Sequence, residues 1–293
     1  MNEQTEKTEW NKVFTQGWRK WYIPFLIGIV TMVVGFIVVA FLSSQRIEQI
    51  SGFNKPEGVV VASDGKIYVT NLGEVGVNED GAISMVEDKT ISTFAQGLND
   101  PRGIVWVDDH FLVADGGRIW KVSEAGSLEA WITARDFPEE PRLLSDLTVD
   151  DDGNVYVSDR QSGVVFRISP DREVTTLEWT KSLLSGPNGI LAVGVGSLLI
   201  ADFGQGVVWR GTLGGESQLV AENLGTPDGL VQDTAGNLYI SDAQQGRIWK
   251  VSPDGNRQVL LQGLKRPTDL AILDGRLLIV ELDVDRLTFF QLD

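Results

Sequence analysis

The sequence predicts an all-β fold, a six-bladed β-propeller, with one transmembrane helix at the N-terminus. Two observations predict this arrangement: a strand-rich phrase that repeats six times, and a long uncharged segment ahead of it. The phrase reads Pro-x-Gly or a close variant, then an apolar run, a turn, and a second run with an acidic or amide end. A repeat of about 40 to 45 residues built from strands indicates one blade per copy. The copies begin at Pro56, Pro101, Leu144, Pro187, Pro227 and Pro267.

Each copy divides into four short strands, and the fifth copy shows the division most clearly. Its inner strand is predicted over Gly229–Asp233, its second over Asn237–Ser241, its third over Gly246–Ser252 and its outer over Arg257–Gln262. Tight turns rich in Asp and Gly separate such strands, because glycine adopts the positive φ angles that hairpins need. The innermost runs are almost wholly apolar, which is typical of strands buried on both faces.

The sixth copy ends before an outer strand, and a substitute lies near the other end of the chain. Residues Ile47–Pro56 match the outer-strand phrase Val259–Pro267. We therefore expect residues 47–52 to complete the last blade and the propeller domain to span 46–293. Closing the ring in this way removes open sheet edges.

The segment from Tyr22 to Leu42 is uncharged and apolar over 21 residues. A run of this length can span a hydrocarbon core of roughly 30 Å. Arg19 and Lys20 precede it, so the positive-inside rule places the N-terminus in the cytoplasm and the propeller in the periplasm or cell exterior. We expect a cytoplasmic or interfacial aromatic and basic segment over 1–21 and a transmembrane signal anchor over 22–43.

A cleaved signal peptide is the alternative for this segment. Its apolar run is longer than the usual ~7–15 residues, and no clear cleavage site with small residues follows it. The pattern favours an uncleaved anchor. Because only about four residues join the anchor to the first predicted strand, reaching roughly 13 Å, we expect the propeller to lie close to the membrane.

The composition excludes several classes of function. The chain has a net charge of −16, so it repels phosphate backbones and nucleic acid is not an expected partner. It contains no cysteine, which excludes a disulfide framework and thiolate metal sites. The acidity alone could equally serve solubility.

Two sets of polar side chains are predicted to meet at one mouth of the central channel, because the loops that carry them lie on the same face of an antiparallel meander. The first ring stands at the start of the inner strands, and the second ring at the end of the second strands. The first ring is Glu57, Arg102, Ser145 with Asp146, Asn188, Asp228, and Thr268 with Asp269. The second ring is Asn71, Asp115, Asp159, Asp202, Asp242 and Glu281.

Crowded carboxylates raise one another's pKa unless a cation neutralises them. Oxygen donors without cysteine, and with a single distant histidine, suit Ca²⁺ best, with Mg²⁺ or Mn²⁺ as alternatives. Asp159, Asp202 and Asp242 of the second ring are candidate additional ligands at the mouth. The alternative is that these residues are ordinary turn and capping residues.

The six Pro-x-Gly copies, together with the run Asp152–Asp159, resemble the gluconolactonase and senescence marker protein family and the related NHL-repeat propellers over residues 47–293. In that family a Glu on blade one, an Asn on blade four and an Asp on blade five hold a divalent metal. The resemblance implies that Glu57, Asn188 and Asp228 are metal ligands and that Asp228 is also the catalytic base of a lactone or ester hydrolase. It also makes Asp146 a further candidate ligand, as in some bacterial relatives.

The resemblance is incomplete where the sugar-lactone enzymes contact their substrate. Those members carry an Arg and an Asn around the third-blade turn, where this chain has Leu143 and Ser145. The only histidine, His110, falls in a hairpin turn predicted to face away from the mouth. Two functions stay open: a membrane-anchored metal-dependent hydrolase of a small lactone or ester, or a non-catalytic extrinsic subunit or ligand-binding propeller of a membrane protein complex. No organic cofactor is expected. A third possibility, intermediate between the hydrolase and the non-catalytic protein, is a metal ion that only holds the blades together.

Overall fold

The computed structural model describes residues 47–194 and 196–292, together with Phe25, Ile29 and Met32. The predicted segments 1–21 and 22–43 lie outside these residues, apart from those three, which are helical and exposed. Among the described residues, no helix is long and apolar enough to cross a membrane.

Residues 47–194 and 196–292 form a six-bladed β-propeller, as the sequence predicts, with four strands in each sheet. Blade one contains β2 (Pro56–Val61), β3 (Ile67–Asn71), β4 (Gly81–Glu87) and β5 (Thr90–Leu98). Blade two contains β6 (Pro101–Val107), β7 (His110–Asp115), β8 (Arg118–Ser123) and β9 (Leu128–Ile132). Blade three contains β10 (Leu144–Val149), β11 (Val155–Asp159), β12 (Val164–Ile168) and β13 (Val174–Thr176).

The remaining blades follow the same order. Blade four contains β14 (Pro187–Ala192), β15 (Ser197–Asp202), β16 (Val207–Thr212) and β17 (Ser217–Ala221), preceded by a short helix α1 (Thr180–Leu183). Blade five contains β18 (Pro227–Gln232), β19 (Leu238–Asp242), β20 (Arg247–Val251) and β21 (Arg257–Gln262). Blade six contains β22 (Pro267–Leu273), β23 (Arg276–Glu281), a 3₁₀ turn (Leu282–Val284), β24 (Arg286–Gln291) and, from the start of the described domain, β1 (Ile47–Ser51).

The closing strand β1 lies beside β24, so the chain completes its last sheet with residues from the N-terminal side. Side chains join the two strands: Gln49 Nε2 donates to Thr288 Oγ1 at 3.3 Å, and Arg286 Nη1 donates to Gln49 Oε1 at 3.1 Å. Ile50 is buried in the same apolar cluster as Leu287 and Phe289. The seam is therefore both hydrogen-bonded and packed.

The core lies between neighbouring blades. Six clusters of buried apolar side chains each join two adjacent sheets of the described propeller. The aromatic residues of the third strands belong to these clusters, and Phe166 is fully buried. Burying such rings contributes much of the apolar driving force of a β fold.

Glycine in the repeated phrase lets neighbouring inner strands approach closely around the channel. A Cβ atom on Gly58 would lie 2.4 Å from the carbonyl oxygen of Arg102, and one on Gly189 would lie 2.2 Å from that of Asp228. Two copies have an aspartate there instead, Asp146 and Asp269, and each bonds to the next blade. Asp146 accepts from the Ile190 N–H at 3.0 Å, and Asp269 from the Val59 N–H at 2.9 Å.

Candidate functional site

The first ring converges in the central channel. A narrow cavity of about 20 Å³, enough for one water-sized occupant, is lined by its side chains and the adjacent glycines. The ring residues around it are Glu57, Arg102, Ser145, Asp146, Asn188, Asp228 and Asp269. Thr268 lies beside the cavity, where its hydroxyl donates to the carbonyl oxygen of Glu57 at 2.8 Å. The structure thus brings together Glu57, Asn188, Asp228 and Asp146.

An internal ion pair occupies part of this site. Arg102 Nη1 lies 2.7 Å from Glu57 Oε1, and the two side chains are only 17% and 12% exposed. The other carboxylate oxygen, Glu57 Oε2, is buried and has no hydrogen-bond partner, and neither does Arg102 Nε. A buried polar atom without a partner costs about 1–3 kcal/mol. Glu57 therefore presents one unsatisfied acceptor in the channel.

Three further carboxyl groups in the channel resist ionisation. Burial, with Glu57 and Asp269 nearby, raises the pKa of Asp228 to about 8 against the opposing pull of Arg160 and Arg102. Burial raises the pKa of Asp146 to about 7, although two backbone N–H groups oppose it. Burial and Asp146 also raise the pKa of Asp269 well above its usual value. Crowded, buried carboxylates of this kind are stabilised either by protonation or by a nearby cation.

A wider cavity of about 600 Å³ shares Glu57 and Asp228 with the narrow one. Its wall also includes Arg160, Phe203 and Lys265. The guanidinium of Arg160 lies over the ring of Phe203, 3.8 Å from its centroid. A cavity of this volume accommodates a small organic molecule, so Asp228 and Glu57 lie where such a molecule would meet the channel.

The side chains of the second ring do not line the narrow cavity that the first ring surrounds. Asp159 accepts from the N–H groups of Arg142, Leu143, Gln161 and Ser162 at 2.7–3.1 Å. Asp202 and Asp242 accept from the corresponding loop N–H groups in their own blades. None of these three aspartates lines either cavity. Their carboxylates accept hydrogen bonds from loop N–H groups, so these aspartates are not part of the candidate site.

The channel presents side-chain oxygens of the types that hard divalent cations prefer. Glu57 offers an unsatisfied oxygen, Asp228 a carboxylate, and Asn188 an amide on a buried side chain. Among the described residues, no three His, Cys, Asp or Glu side chains form a group that could hold a metal. The set implied by the family resemblance is of another kind, with two carboxylates and one amide.

The sequence assigns no role to several residues at the site. It places Asp269 and Arg102 in the first ring without a function, and its motifs do not include Arg160 or Phe203. Arg160 and Phe203 can be located from the repeat, because they directly follow Asp159 and Asp202 of the second ring. His110, by contrast, pairs with Asp109 at 2.9 Å and lines neither cavity.

Solved structures with this architecture include two gluconolactonase-like propellers and a lyase. A putative gluconolactonase is 19% identical, with a TM-score of 0.68 over 84% of this chain and 91% of that one. A gluconolactonase from Xanthomonas campestris is 18% identical, with a TM-score of 0.69 over 83% and 88%. Virginiamycin B lyase from Staphylococcus aureus is 14% identical, with a TM-score of 0.62 over 84% and 99%.

At these identities the likeness establishes the fold. No protein-family model matches the chain, and no curated protein matches its sequence. The class defined on this evidence is a six-bladed propeller of the architecture found in gluconolactonases and streptogramin B lyases.

Proposed function

We propose that this chain is a divalent-metal-dependent hydrolase of small lactones or esters. The observation that carries the proposal is the position of Asp228 and Glu57, which line both the narrow channel cavity and the wide mouth cavity. A carboxyl group that borders both cavities can act on a molecule in the wide mouth cavity, while other residues of the first ring hold an ion in the narrow channel cavity. The likeness to gluconolactonase structures supports the same chemistry.

Each channel residue has a part in this proposal. Glu57, Asn188 and Asp228 would hold the ion, Ca²⁺ foremost with Mg²⁺ or Mn²⁺ as alternatives. Asp146 is not part of this set, because its two carboxylate oxygens accept from the Leu147 and Ile190 N–H groups. When bound, such an ion polarises a carbonyl group and stabilises the oxyanion. Asp228 removes a proton from the attacking water at its carboxylate oxygen. Arg102 orients Glu57 through their 2.7 Å contact.

Calorimetric titration of the metal-stripped full-length protein with Ca²⁺ and Mn²⁺ tests the site. We expect binding in the parent protein, loss of binding in Asp228→Asn and Glu57→Gln, and no change in Asp171→Asn, whose side chain is exposed in the turn between β12 and β13 and lines neither cavity. A lactone and ester assay follows with the loaded protein. No binding in the parent protein would overturn the metal site, and binding without hydrolysis would overturn the enzyme.

A membrane anchor is the second part of the proposal, and it rests on the uncharged run from Tyr22 to Leu42. We place the N-terminus in the cytoplasm and the propeller in the periplasm or cell exterior. Cell fractionation with alkaline extraction tests the anchor, and proteolysis of intact spheroplasts tests the orientation. Release of the intact protein by alkali would contradict the anchor, and protection of the propeller would contradict its placement.

A non-catalytic role in a membrane protein complex is the second candidate function. The ion pair of Arg102 with Glu57 favours it, because the guanidinium already neutralises one channel carboxylate without a metal. Leu143 and Ser145 favour it as well, since they replace the sugar-contacting residues. Purification in mild detergent distinguishes the candidates: stable partners without hydrolysis support this role, and a lone chain with hydrolysis excludes it.

A further inference from the structure

We propose that the mouth cavity selects a substrate that carries a carboxylate, and that Arg160 binds that carboxylate. This inference deepens the proposed function and rests on it for the reaction, although the binding step can be tested alone. It assigns a specificity role to Arg160, with Phe203 and Lys265 in support.

Arg160 is held in place and its charge is available. Its backbone N–H donates to Leu143 O at 3.0 Å, and the backbone N–H of Phe203 donates to Gly186 O at 2.9 Å, so both residues have fixed main chains. The guanidinium lies over Phe203, with its Cζ atom 3.8 Å from the ring centroid. Among the described residues, the guanidinium makes no hydrogen bond and no ion pair within 4.0 Å, and its charge acts on the Asp228 carboxyl from a greater distance. Stacking immobilises an arginine without using its N–H groups.

Lys265 adds a second positive charge to the same wall. Its backbone N–H is bound by Glu281 Oε2 at 2.7 Å, while its ammonium group makes no ion pair within the part of the chain described. The neighbouring Arg266 differs, since it lies 3.6 Å from Asp283. Two unpaired cations thus line one cavity of a protein whose net charge is −16.

The cavity is therefore polarised. Arg160 and Lys265 provide positive charge on its wall, whereas Glu57 and Asp228 provide carboxyl groups where it meets the channel. A ligand with an anionic end and a lactone or ester carbonyl matches both. Arginine in particular forms paired parallel hydrogen bonds with a planar carboxylate. A neutral lactone would provide no anionic partner for Arg160 and Lys265.

A pair of lactones that differ by one carboxylate tests the inference: γ-butyrolactone and 5-oxotetrahydrofuran-2-carboxylate. With the metal-loaded full-length protein, we expect kcat/KM to favour the carboxylated lactone by about tenfold to a hundredfold, the usual gain from a charge-assisted hydrogen bond. Arg160→Gln should bring the ratio close to one, and Phe203→Leu should reduce it partly. Arg210→Gln, at a cavity that shares no residue with the mouth, should keep the parent ratio.

Binding of glutarate, a carboxylate that cannot be hydrolysed as a lactone, separates this inference from the proposed function. Glutarate binding that is lost in Arg160→Gln supports the inference even if no lactone is hydrolysed, in which case only the enzyme proposal fails. Equal hydrolysis of both lactones, or glutarate binding unchanged in a folded Arg160→Gln protein, overturns the inference and leaves the hydrolase intact. Thermal unfolding of each variant confirms that it is folded.

Discussion

Arg102 stands in blade two at the position where blades one, four and five present Glu57, Asn188 and Asp228. Its guanidinium neutralises Glu57, but Asp146, Asp228 and Asp269 remain with raised pKa values in the same channel. A cation entering the channel must therefore displace protons that burial has retained. Metal binding in this protein should be tighter at pH 8.5 than at pH 6.

Glu281 illustrates a carboxylate with the opposite behaviour. Burial alone would raise its pKa, but hydrogen bonds from Arg286, Thr288 and the Lys265 N–H hold the pKa below its usual value. A carboxylate with a lowered pKa stabilises the fold above its unfolded pKa, and that stabilisation is lost as pH falls through the lower folded value.

We predict that Glu281→Gln lowers the free energy of unfolding at pH 7 by about 2–4 kcal/mol, because Arg286 is left without its buried partner. The deficit should shrink as the pH falls through the lowered pKa of folded Glu281, where the parent protein also loses its carboxylate. Urea unfolding at pH 7 and at an acidic pH below that pKa measures both effects. Glu216→Gln, an exposed carboxylate, is the control and should match the parent at both values. A deficit that is equal at both pH values would contradict the assignment.

The first-ring candidates could be found from sequence, but the second ring could not be resolved. Glu57, Asn188 and Asp228 occupy one position of an obvious repeat, and that position lines the channel cavity in blades one to five. Asp159, Asp202 and Asp242 also occupy one repeated position, yet their carboxylates point to loop amides. Periodicity shows which residues are equivalent, whereas the direction of a side chain depends on nearby donors.

At the scale of the strand and its loop, the second ring is a repeated anchor. In each of blades two to five, an aspartate at the end of the second strand accepts N–H groups from the loop before the inner strand. This fixes the loop that carries the first-ring residue. The strands thus position the candidate site through buried hydrogen bonds that the repeated phrase encodes.

We predict that Asp159→Ala destabilises the protein by about 3 kcal/mol, because four backbone N–H groups lose their acceptor in a buried place. The loop from Arg142 to Leu143 should also loosen, and Arg160 with it, since Leu143 accepts the Arg160 N–H. Urea unfolding gives the first effect, and amide hydrogen exchange of residues 142–146 gives the second. Asp171→Ala, an exposed turn residue, is the matched control. Unchanged exchange in this loop would contradict the anchoring role.

At the scale of the whole molecule, the fold can be predicted from the sequence because the repeat is long and regular and occurs six times. Strand bounds differ from the predicted ones by a few residues, since the inner strands begin at the proline or its equivalent. Hydrogen bonds between blade six and blade one, such as that of Asp269 with the Val59 N–H, depend on ring closure and have no local sequence signal. This bond joins residues 210 positions apart.

Closure by β1 is the feature on which the whole ring depends. Without β1, the edge of β24 would be unpaired, and Leu287 and Phe289 would lose Ile50 from their cluster. We predict that a shortened chain beginning at Phe53 is less stable than one beginning at Ile47 by about 2–4 kcal/mol, the sum expected for one buried isoleucine and the lost strand pairing. Thermal unfolding compares the two.

The shorter chain should also associate through its open edge, since unpaired strands recruit other strands. Size-exclusion chromatography at several concentrations detects this association, and a synthetic peptide of residues 47–52 should reverse it by filling the vacant place. A peptide with Ile50 replaced by aspartate should fail, because its charge would enter the apolar cluster. Equal stability of the two chains, with no association and no effect of the peptide, would show that the three remaining strands of blade six and the other five sheets hold the ring without its closing strand.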